Sequence, residues 1–592
     1  GAVADIPMGE FWTSGHGFNS SFSCIEAVSI GHVTGRRIIA AEGFTADNTE
    51  AWRMYPGNMK NQTDWALAMG INRFFFHTFA HKPHDQNLKP GMTMGPYGVH
   101  WDRGQTWWEL SSGYHTYLAR CQFMLMQGAP VADILYLTTE GAPAVFVPPS
   151  SSLEGTDTMP DKRGYSFDVC SPSYFIKNAT VVNNKILFPS GASYSILVLP
   201  ESRTMTPELL EKIDFMLKTG AYIAGYMPVS SPSLTGYPEC DAKVRSMAET
   251  IWGINWSQGR SRVKYLNGTL FKMDEYSSSG IDQLNIKKRG PYDLYPEYDT
   301  IASLLKGAGV DPDFSCQGGE IRYHHRKLPG KEIYFISNRS GRTITDTCRF
   351  RDGTAWGELW DPLTGKIREL KNITTTGRAA LLPVVLEPYA AYFIVFHKKE
   401  AVSVIKSGSG NDFQPKDTLQ EIKGPWEMYF DPNAGGPGRI VSDTLFDWSR
   451  SAMEGIKYYS GKVICSNKFT MPGDILKNKG MKFHISAIPV NGMAKISING
   501  KAAGIVWTYP YEIEITPYLK AGENKLEIEV VNLWINRLIG DEYMPWDGIE
   551  DGRFPEWYLN KTGRPEGRIS FTTHRYWKKD DTLIPSGLSR PV

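Results

Sequence analysis

Cysteine is scarce in this chain, with seven residues in 592, and no two of them have the CxxC spacing of a zinc knuckle or redox motif. Their wide scatter and odd number argue against a disulfide framework. We therefore expect mostly buried, reduced thiols. The cysteines are Cys24, Cys121, Cys170, Cys240, Cys316, Cys348 and Cys465.

An excess of charge is also missing, because 64 Lys and Arg residues balance 63 Asp and Glu residues. No long basic run is present, so nucleic acid is not an expected partner. No apolar run approaches the roughly 20 residues that span a bilayer, and no membrane span is expected. The first residues lack the basic and apolar regions of a signal peptide, and the chain does not begin with Met.

Motifs of several other enzyme classes are absent. The strand predicted at 132–137 is not followed by GxGxxG, so no nucleotide cofactor is expected. No GxSxG elbow of a serine hydrolase occurs. His77, His81 and His84 span a predicted strand-to-loop transition rather than one helix face, which disfavours a zinc site.

Residues 1–128 alternate between strand and helix patterns. Apolar runs at 38–44 and 72–79 predict strands, and residues 58–69 between them predict a helix. This βαβ order indicates a parallel sheet. Glu42 and His77 stand at the predicted strand ends, which is where a β/α barrel carries its catalytic side chains.

Three further domains are predicted after residue 128. Residues 129–320 favour a doubly wound α/β domain, with an amphipathic helix that begins at Thr206-Pro207-Glu208 and is closed by Gly220. Residues 321–405 favour a small antiparallel β-domain. A polar linker at 406–412 precedes a β-sandwich over 413–592, with strands predicted at 481–488, 494–498 and 525–533.

Two carboxylates are candidates for chemistry. Glu42 follows the apolar run Ile38-Ile39-Ala40-Ala41, and a carboxylate there is costly to bury unless it is paired or functional. The alternative is a simple charge at the end of a strand. Glu10 stands between Gly9 and the aromatic pair Phe11-Trp12, and is either a functional group or a structural carboxylate bonded to loop amides.

A histidine and three tryptophans are candidates for contacts with a sugar. His77 either contacts a substrate hydroxyl or is a hydrogen-bonded core residue. Trp12, Trp101 and Trp107 could wall a sugar pocket, since flat aromatic faces suit the C–H faces of pyranoses, although most tryptophans are core residues.

Several segments resemble the α-L-rhamnosidases of glycoside hydrolase family 106. They are GEFWTSG (9–15), AAEGFT (40–45), FFFHTFAHKP (74–83), PGMTMGPYGVHWDRGQTWW (90–108) and RCQFMLMQGAPVADILYL (120–137). The C-terminal runs GPWEMYFD (424–431), LFDWS (445–449), GIKYYSGK (455–462) and NLWINRLIGD (532–541) resemble the galactose-binding-like sandwich that those enzymes share with family 2 glycosidases.

The resemblance implies an inverting glycosidase on a (β/α)8 barrel, with rhamnose-containing glycans such as pectin as the substrate class. It implies that Glu42 is the catalytic base and that Glu10 binds a calcium ion that touches the sugar hydroxyls. His77 and Trp12 are the expected substrate contacts. The resemblance also places the enzyme in the bacterial periplasm or outside the cell.

One departure from the family pattern concerns the catalytic acid. It should lie on an earlier barrel strand, a hundred or more residues before the base, yet only 41 residues precede Glu42. The stretch around Glu10 would be about the sixth barrel strand. A barrel that lacks five strands exposes sheet edges. We therefore expect a fragment of a longer enzyme, with the upstream half as a possible partner and little independent turnover.

Two other functions remain open at this stage. One is a noncatalytic carbohydrate-binding polypeptide, which the missing acid and the lectin-like C-terminal region suggest. The other is a retaining glycosidase related to family 2 or family 42, such as a β-galactosidase. Retaining enzymes set their two carboxyl groups ~5–5.5 Å apart, whereas inverting enzymes set them ~6.5–9.5 Å apart.

Overall fold

The computed structural model describes residues 3–13, 20–85, 87–95, 98–141, 146–156, 158–253, 262–273, 294–398, 412–413, 416–478 and 480–588. It is a mixed α/β structure with several separate sheets. None of its described helices is long and apolar enough to cross a bilayer. The predicted linker lies outside the described residues except for Asp412, whose carboxylate accepts hydrogen bonds from the backbone N–H groups of Lys371 and Asn372.

The first region is a parallel sheet of three strands that alternate with helices. Its elements are β1 (Met8–Trp12), α1 (Ser20–Thr34), β2 (Ala40–Thr45), α2 (Pro56–Met69), β3 (Arg73–Phe76), β4 (Pro90–Gly91) and α3 (Ser112–Leu125). Strand β2 lies between β1 and β3, and both pairings are parallel. The predicted βαβ order is therefore correct.

The second region contains a six-stranded sheet that is mostly parallel. The elements are β5 (Ala129–Pro130), β6 (Ile134–Leu137), β7 (Leu153–Thr156), β8 (Met159–Lys162), β9 (Phe167–Cys170), α4 (Pro172–Asn178), β10 (Thr180–Val182), β11 (Lys185–Leu187), β12 (Ser193–Tyr194), β13 (Ile196–Val198), α5 (Pro207–Thr219), β14 (Tyr222–Gly225), α6 (Glu239–Trp252), β15 (Arg262–Tyr265), β16 (Gly268–Lys272) and α7 (Tyr298–Gly307). The sheet has the order β15-β16-β14-β13-β6-β9, in which all strands except β15 run parallel. The ends of helix α5 are those predicted, because the Thr206 hydroxyl accepts from the Leu209 N–H and Gly220 ends the helix at a φ of +116°.

The third region is antiparallel throughout its described strands. They are β17 (Phe314–Ser315), β18 (Ile321–Leu328), β19 (Lys331–Asn338), β20 (Ile344–Phe350), β21 (Gly357–Trp360), β22 (Ile367–Glu369), β23 (Thr374–Thr376), β24 (Ala379–Leu386) and β25 (Ala391–His397). One sheet has the order β17-β20-β24-β23 and the other β22-β21-β25-β19-β18-β5. Strand β5, at the start of the second region, thus belongs to a sheet of the third.

The fourth region has a six-stranded antiparallel sheet. The elements are β26 (Trp426–Phe430), β27 (Gly438–Ser442), α8 (Glu454–Lys457), β28 (Lys462–Met471), α9 (Gly473–Leu476), β29 (His484–Ser486), β30 (Pro489–Val490), β31 (Met493–Ile498), β32 (Lys501–Val506), β33 (Glu512–Glu514), β34 (Gly522–Val531), α10 (Ile535–Asp541), α11 (Glu556–Leu559), β35 (Phe571–Thr572) and β36 (Gly587–Leu588). The sheet has the order β27-β26-β28-β34-β31-β32. The strand predicted at 481–488 is β29, which is shorter than expected.

One buried hydrophobic cluster contains side chains from all four regions, among them Phe74, Tyr136, Phe335 and Trp507. The regions therefore share a core, which is what positions the later regions against the first sheet. The seven cysteines are free thiols, and all but Cys316 are buried, as their scatter predicted.

Candidate active site

Glu10 and Glu42 are direct neighbours on adjacent parallel strands. The pairing of β1 with β2 sets Glu10 opposite Glu42, and neighbouring strands lie about 4.8 Å apart. Both carboxylates are half-buried. Within the described part of the chain, neither forms an ion pair. Two adjacent carboxylates offer oxygen ligands of the kind that hard cations prefer.

The opposite face of this sheet is a packed aromatic core. The Phe11 ring makes edge-to-face contacts with Phe44, Phe74 and Trp65, with centroids 5.0, 6.2 and 5.7 Å away. Because strand side chains alternate between faces, burial of Phe11 and Phe74 turns Glu10 and Phe75 to the open face. The sequence placed Glu42 at a strand end, but β2 continues to Thr45 and Glu42 lies within the strand.

Trp12 holds the Glu10 carboxylate. The indole Nε1 of Trp12 donates to Glu10 Oε1 at 2.7 Å. The backbone of Glu10 is fixed by Ser23, whose hydroxyl accepts from the Glu10 N–H at 2.9 Å and donates to its carbonyl at 2.8 Å. Trp12 is half-buried beside the carboxylate pair. The structure thus brings Trp12, Glu10 and Glu42 together.

His77 follows β3 directly, one residue beyond its end. Its backbone N–H donates to the carbonyl of Gly43 at 3.2 Å, and its carbonyl accepts from Val99 at 2.8 Å. The ring lies against Gly98, where an added Cβ would stand 2.6 Å from Nδ1. That Nδ1 is buried and has no hydrogen-bond partner within the described residues. His77 is therefore half-buried directly after β3, with one ring nitrogen unpaired within the described residues.

A second histidine near His77 was not predicted. Both ring nitrogens of the buried His100 lack a partner among the described residues. Burial, together with the nearby Lys82 and His77, lowers the pKa of His100 to about 3, so the ring stays neutral. In the sequence, His100 shows no signal that separates it from other loop histidines.

Residues of the fourth region contact the loop between β3 and α3 and fix its position. Strand β35 pairs in parallel with β4, and the Trp534 indole donates to the carbonyl of Gly104 at 2.8 Å. Inside the loop, Lys82 Nζ bonds Asp102 Oδ1 at 2.6 Å in a buried ion pair. The C-terminal region therefore supports the surroundings of His77 and is part of the site's framework.

Two tryptophans that the sequence offered as pocket walls are buried in the core instead. Trp107 is inaccessible and Trp101 is 5% exposed. Their rings stand 5.0 Å apart, and Trp101 also stacks on Tyr114 at 5.6 Å. Their packing against α3 explains the difference, because the loop folds back on that helix. An exposed aromatic at the site is Phe75, 49% exposed and opposite Glu42 in the pairing of β2 with β3.

Glu10 meets the requirements of a calcium ligand only in part. Hard cations take six to eight oxygen ligands, and Glu10 and Glu42 offer adjacent carboxylates. Within the described residues, one group of three side chains has ligand atoms at metal-binding distances, and it is Asp313, His325 and Asp352 rather than the Glu10 pair. Arg351 lies 3.3 Å from Asp313 and 4.0 Å from Asp352, so a guanidinium already supplies the cation there.

Comparison with known proteins places the chain among rhamnosidases. The solved rhamnosidase of Novosphingobium sp. PP1Y matches with a TM-score of 0.81 and 26% identity, over 100% of this chain and 51% of that one. A Formosa agariphila protein named "Putative beta-glucuronidase" is 26% identical over 100% of this chain and 65% of its own length. The β-galactosidase of Bacillus circulans sp. alkalophilus reaches a TM-score of only 0.33, at 11% identity over 58% of this chain and 52% of that one, which is too remote to inform function.

The chain spans about half to two thirds of the length of the Novosphingobium rhamnosidase and of the Formosa agariphila protein. The profile of glycoside hydrolase family 106, described as alpha-L-rhamnosidase, matches residues 1–373 and so includes the sheet that carries Glu10, Glu42 and His77. The chain belongs to this family of α-L-rhamnosidases.

Proposed function

We propose that the polypeptide containing this chain hydrolyses terminal α-L-rhamnosides with inversion, and that Glu42 is its general base. The observation that supports this most is the pairing of Glu42 with Glu10 on the open face of a sheet that lies within the family match. In this mechanism, Glu42 accepts a proton from the water that attacks the anomeric carbon, on the face opposite the leaving oxygen. Phe75 offers an apolar surface to the sugar ring and its C6 methyl group.

The general acid in this proposal lies outside the residues of this chain. The family match and the 51% coverage of the solved rhamnosidase leave room for it in the rest of the enzyme. We also propose that β1, β2 and β3 are strands six to eight of a (β/α)8 barrel and that the sheet containing β26 and β34 is part of a galactose-binding-like β-sandwich. Rhamnose-containing glycans such as pectin are the proposed substrates, in the periplasm or outside the cell.

Calcium is proposed to bind at Glu10, where it would orient the sugar hydroxyls. Support comes from the carboxylate pair, which meets no cationic side chain in the described part, and from Trp12, whose indole bonds one Glu10 oxygen and fixes the carboxylate. A chelator should reduce rhamnoside hydrolysis, and added calcium should restore it. Glu10→Gln should bind calcium more weakly by titration. Full activity after complete chelation would contradict the proposal.

A retaining glycosidase with another substrate is the second candidate, and one observation bears on its mechanism and one on its substrate. Glu10 and Glu42 stand opposite each other on adjacent strands, whose backbones lie about 4.8 Å apart, so their carboxyl groups can approach to the ~5–5.5 Å of retaining enzymes. The name of the Formosa agariphila relative also points to a β-glucuronide substrate.

Proton NMR of the first sugar released separates these candidates. The complete natural polypeptide that contains this sequence should be given an aryl α-L-rhamnoside and, in parallel, an aryl β-D-glucuronide. The proposal predicts cleavage of the rhamnoside and β-L-rhamnose as the first-formed anomer. If the α-anomer forms first, the enzyme is a retaining one. If only the glucuronide is cleaved, β-glucuronides rather than α-L-rhamnosides are the substrates.

A further inference from the structure

A large cavity lies away from the carboxylate pair, where the first, third and fourth regions meet. Its volume is about 1320 Å3, and none of its lining residues lies on β1, β2 or β3. Pockets for small molecules usually measure roughly 300–1,000 Å3. Clefts between domains are preferred places for ligand sites. This cavity is large enough for several linked sugar residues rather than a single one.

Aromatic side chains on the lip of the cavity are held in place by a buried anchor. Trp507 is inaccessible and makes edge-to-face contacts with Tyr114 at 5.3 Å and Tyr117 at 5.7 Å. Two residues later, Tyr509 is 40% exposed and lines the cavity, and its ring stands 4.9 Å from that of Tyr511. The fixed anchor lets this short segment present an aromatic face at little cost in entropy.

Most of the charged side chains that line the cavity are paired with one another. Acidic and cationic side chains line it in equal number. Lys416 bonds both Glu512 and Glu387, and Lys366 bonds Glu514. Arg368 lies 3.7 Å from Asp412. A ligand with a net charge would have to break such pairs, whereas hydroxyl groups can bond to paired charges without separating them.

We propose that this cavity binds a neutral oligosaccharide, such as an uncharged stretch of a rhamnose-containing glycan, as a site that holds the glycan apart from the carboxylate pair. Pyranose C–H faces would stack on the exposed ring of Tyr509, and the hydroxyls would bond to the paired charged groups. The ligand class in this inference rests on the proposed function. A glycosidase that cleaves the ends of a glycan binds it more tightly when a second site on the enzyme holds the same glycan.

Isothermal titration calorimetry with two probes tests the proposal, using the whole chain with Glu42→Gln to prevent turnover. One probe is a linear neutral rhamnan hexasaccharide, and the other is a rhamnogalacturonan hexasaccharide that carries carboxylates. The variants are Tyr509→Ala and, as a matched control, Tyr429→Ala. Tyr429 is 47% exposed on β26 and does not line the cavity.

The proposal predicts that Tyr509→Ala raises the Kd for the rhamnan about tenfold, or roughly 1.4 kcal/mol, and that Tyr429→Ala leaves it unchanged. The acidic probe should bind more weakly than the neutral one. Absence of rhamnan binding, equal Kd values for the two variants, or preference for the acidic probe would overturn it. Hydrolysis of an aryl rhamnoside by the complete polypeptide is measured in parallel. If the aryl rhamnoside is not cleaved at all, the proposed function is wrong. The comparison of Kd values for the rhamnan still tests whether the cavity binds an oligosaccharide.

Discussion

Raising the pH from 6 to 9 should destabilise the chain through the buried imidazole of His325. Its Nδ1 lies 3.0 Å from Asp313 and its Nε2 lies 3.0 Å from Glu332, and all three side chains are inaccessible or nearly so. Burial alone lowers the pKa of His325, but hydrogen bonds and attraction to Asp313 and Glu332 outweigh it and raise the pKa to about 8. The protonated ring thus bridges two buried carboxylates.

The size and sign of the effect follow from that shift. A pKa of about 8 in the folded state, against an ordinary value of 6.5, corresponds to about 2 kcal/mol at 1.36 kcal/mol per pKa unit. Because the folded pKa is the higher one, this stabilisation is fully present below pH 6.5. It is lost as the pH rises through about 8, where deprotonation leaves two buried carboxylates without their shared cation.

Urea unfolding at pH 6, 7, 8 and 9 measures this contribution. The free energy of unfolding of the native chain should fall by about 2 kcal/mol more than that of His325→Gln, whose side chain does not titrate. His81→Gln, at an exposed loop histidine, is the control and should follow the native chain. An identical pH dependence in the native chain and His325→Gln, or an imidazole that titrates below pH 6.5 by NMR, would refute the reasoning.

Three other substitutions test the site and its framework. Trp12→Phe removes the indole N–H that donates to Glu10 Oε1. Calcium binding should weaken by about tenfold or more, since hydrogen bonds to charged groups contribute ~1.5–3 kcal/mol, and an unchanged calcium affinity by titration would contradict this. Gly98 has a φ of +82°, and a Cβ added there would stand 2.4 Å from the His77 carbonyl oxygen. Gly98→Ala should therefore lower both the melting temperature and the rhamnoside turnover, and native values of both would contradict this. Thr206→Ala should lower the free energy of unfolding by about 1 kcal/mol without changing activity, because the hydrogen bond to the Leu209 N–H at the start of α5 is lost. Equal stability of the variant and the native chain in urea would contradict the role of Thr206 as the N-cap of this helix.

Local patterns in the sequence predicted local structure well. The Thr206 cap and the Gly220 end of α5 follow from backbone chemistry that acts over a few residues. The strand that carries Glu42 follows from an apolar run beside a helical segment, whereas the strand that carries Glu10 was expected only from the family resemblance. The exact position of Glu42 within β2 did not follow, because strand ends depend on hydrogen-bond partners elsewhere in the chain.

Contacts between distant segments could not be predicted from the sequence. The aromatic composition could not separate the buried Trp101 and Trp107 from the exposed Phe75, since all of them stand in similar runs. The bond from Trp534 to Gly104 joins residues 430 positions apart. His100 was missed for the same reason: its isolation from hydrogen-bond partners is a property of the packed loop rather than of its neighbours in sequence.

The most direct test of the central claim is the turnover of an aryl α-L-rhamnoside by the complete natural polypeptide with Glu42→Gln. Glu109→Gln is the matched control, because Glu109 is an exposed glutamate of the same region that pairs with Lys462. The account predicts a loss of about 10²–10⁴-fold in kcat for Glu42→Gln, with native folding by circular dichroism and native kcat in the control. Undiminished turnover by a folded Glu42→Gln variant would contradict the assignment of Glu42 as the catalytic base.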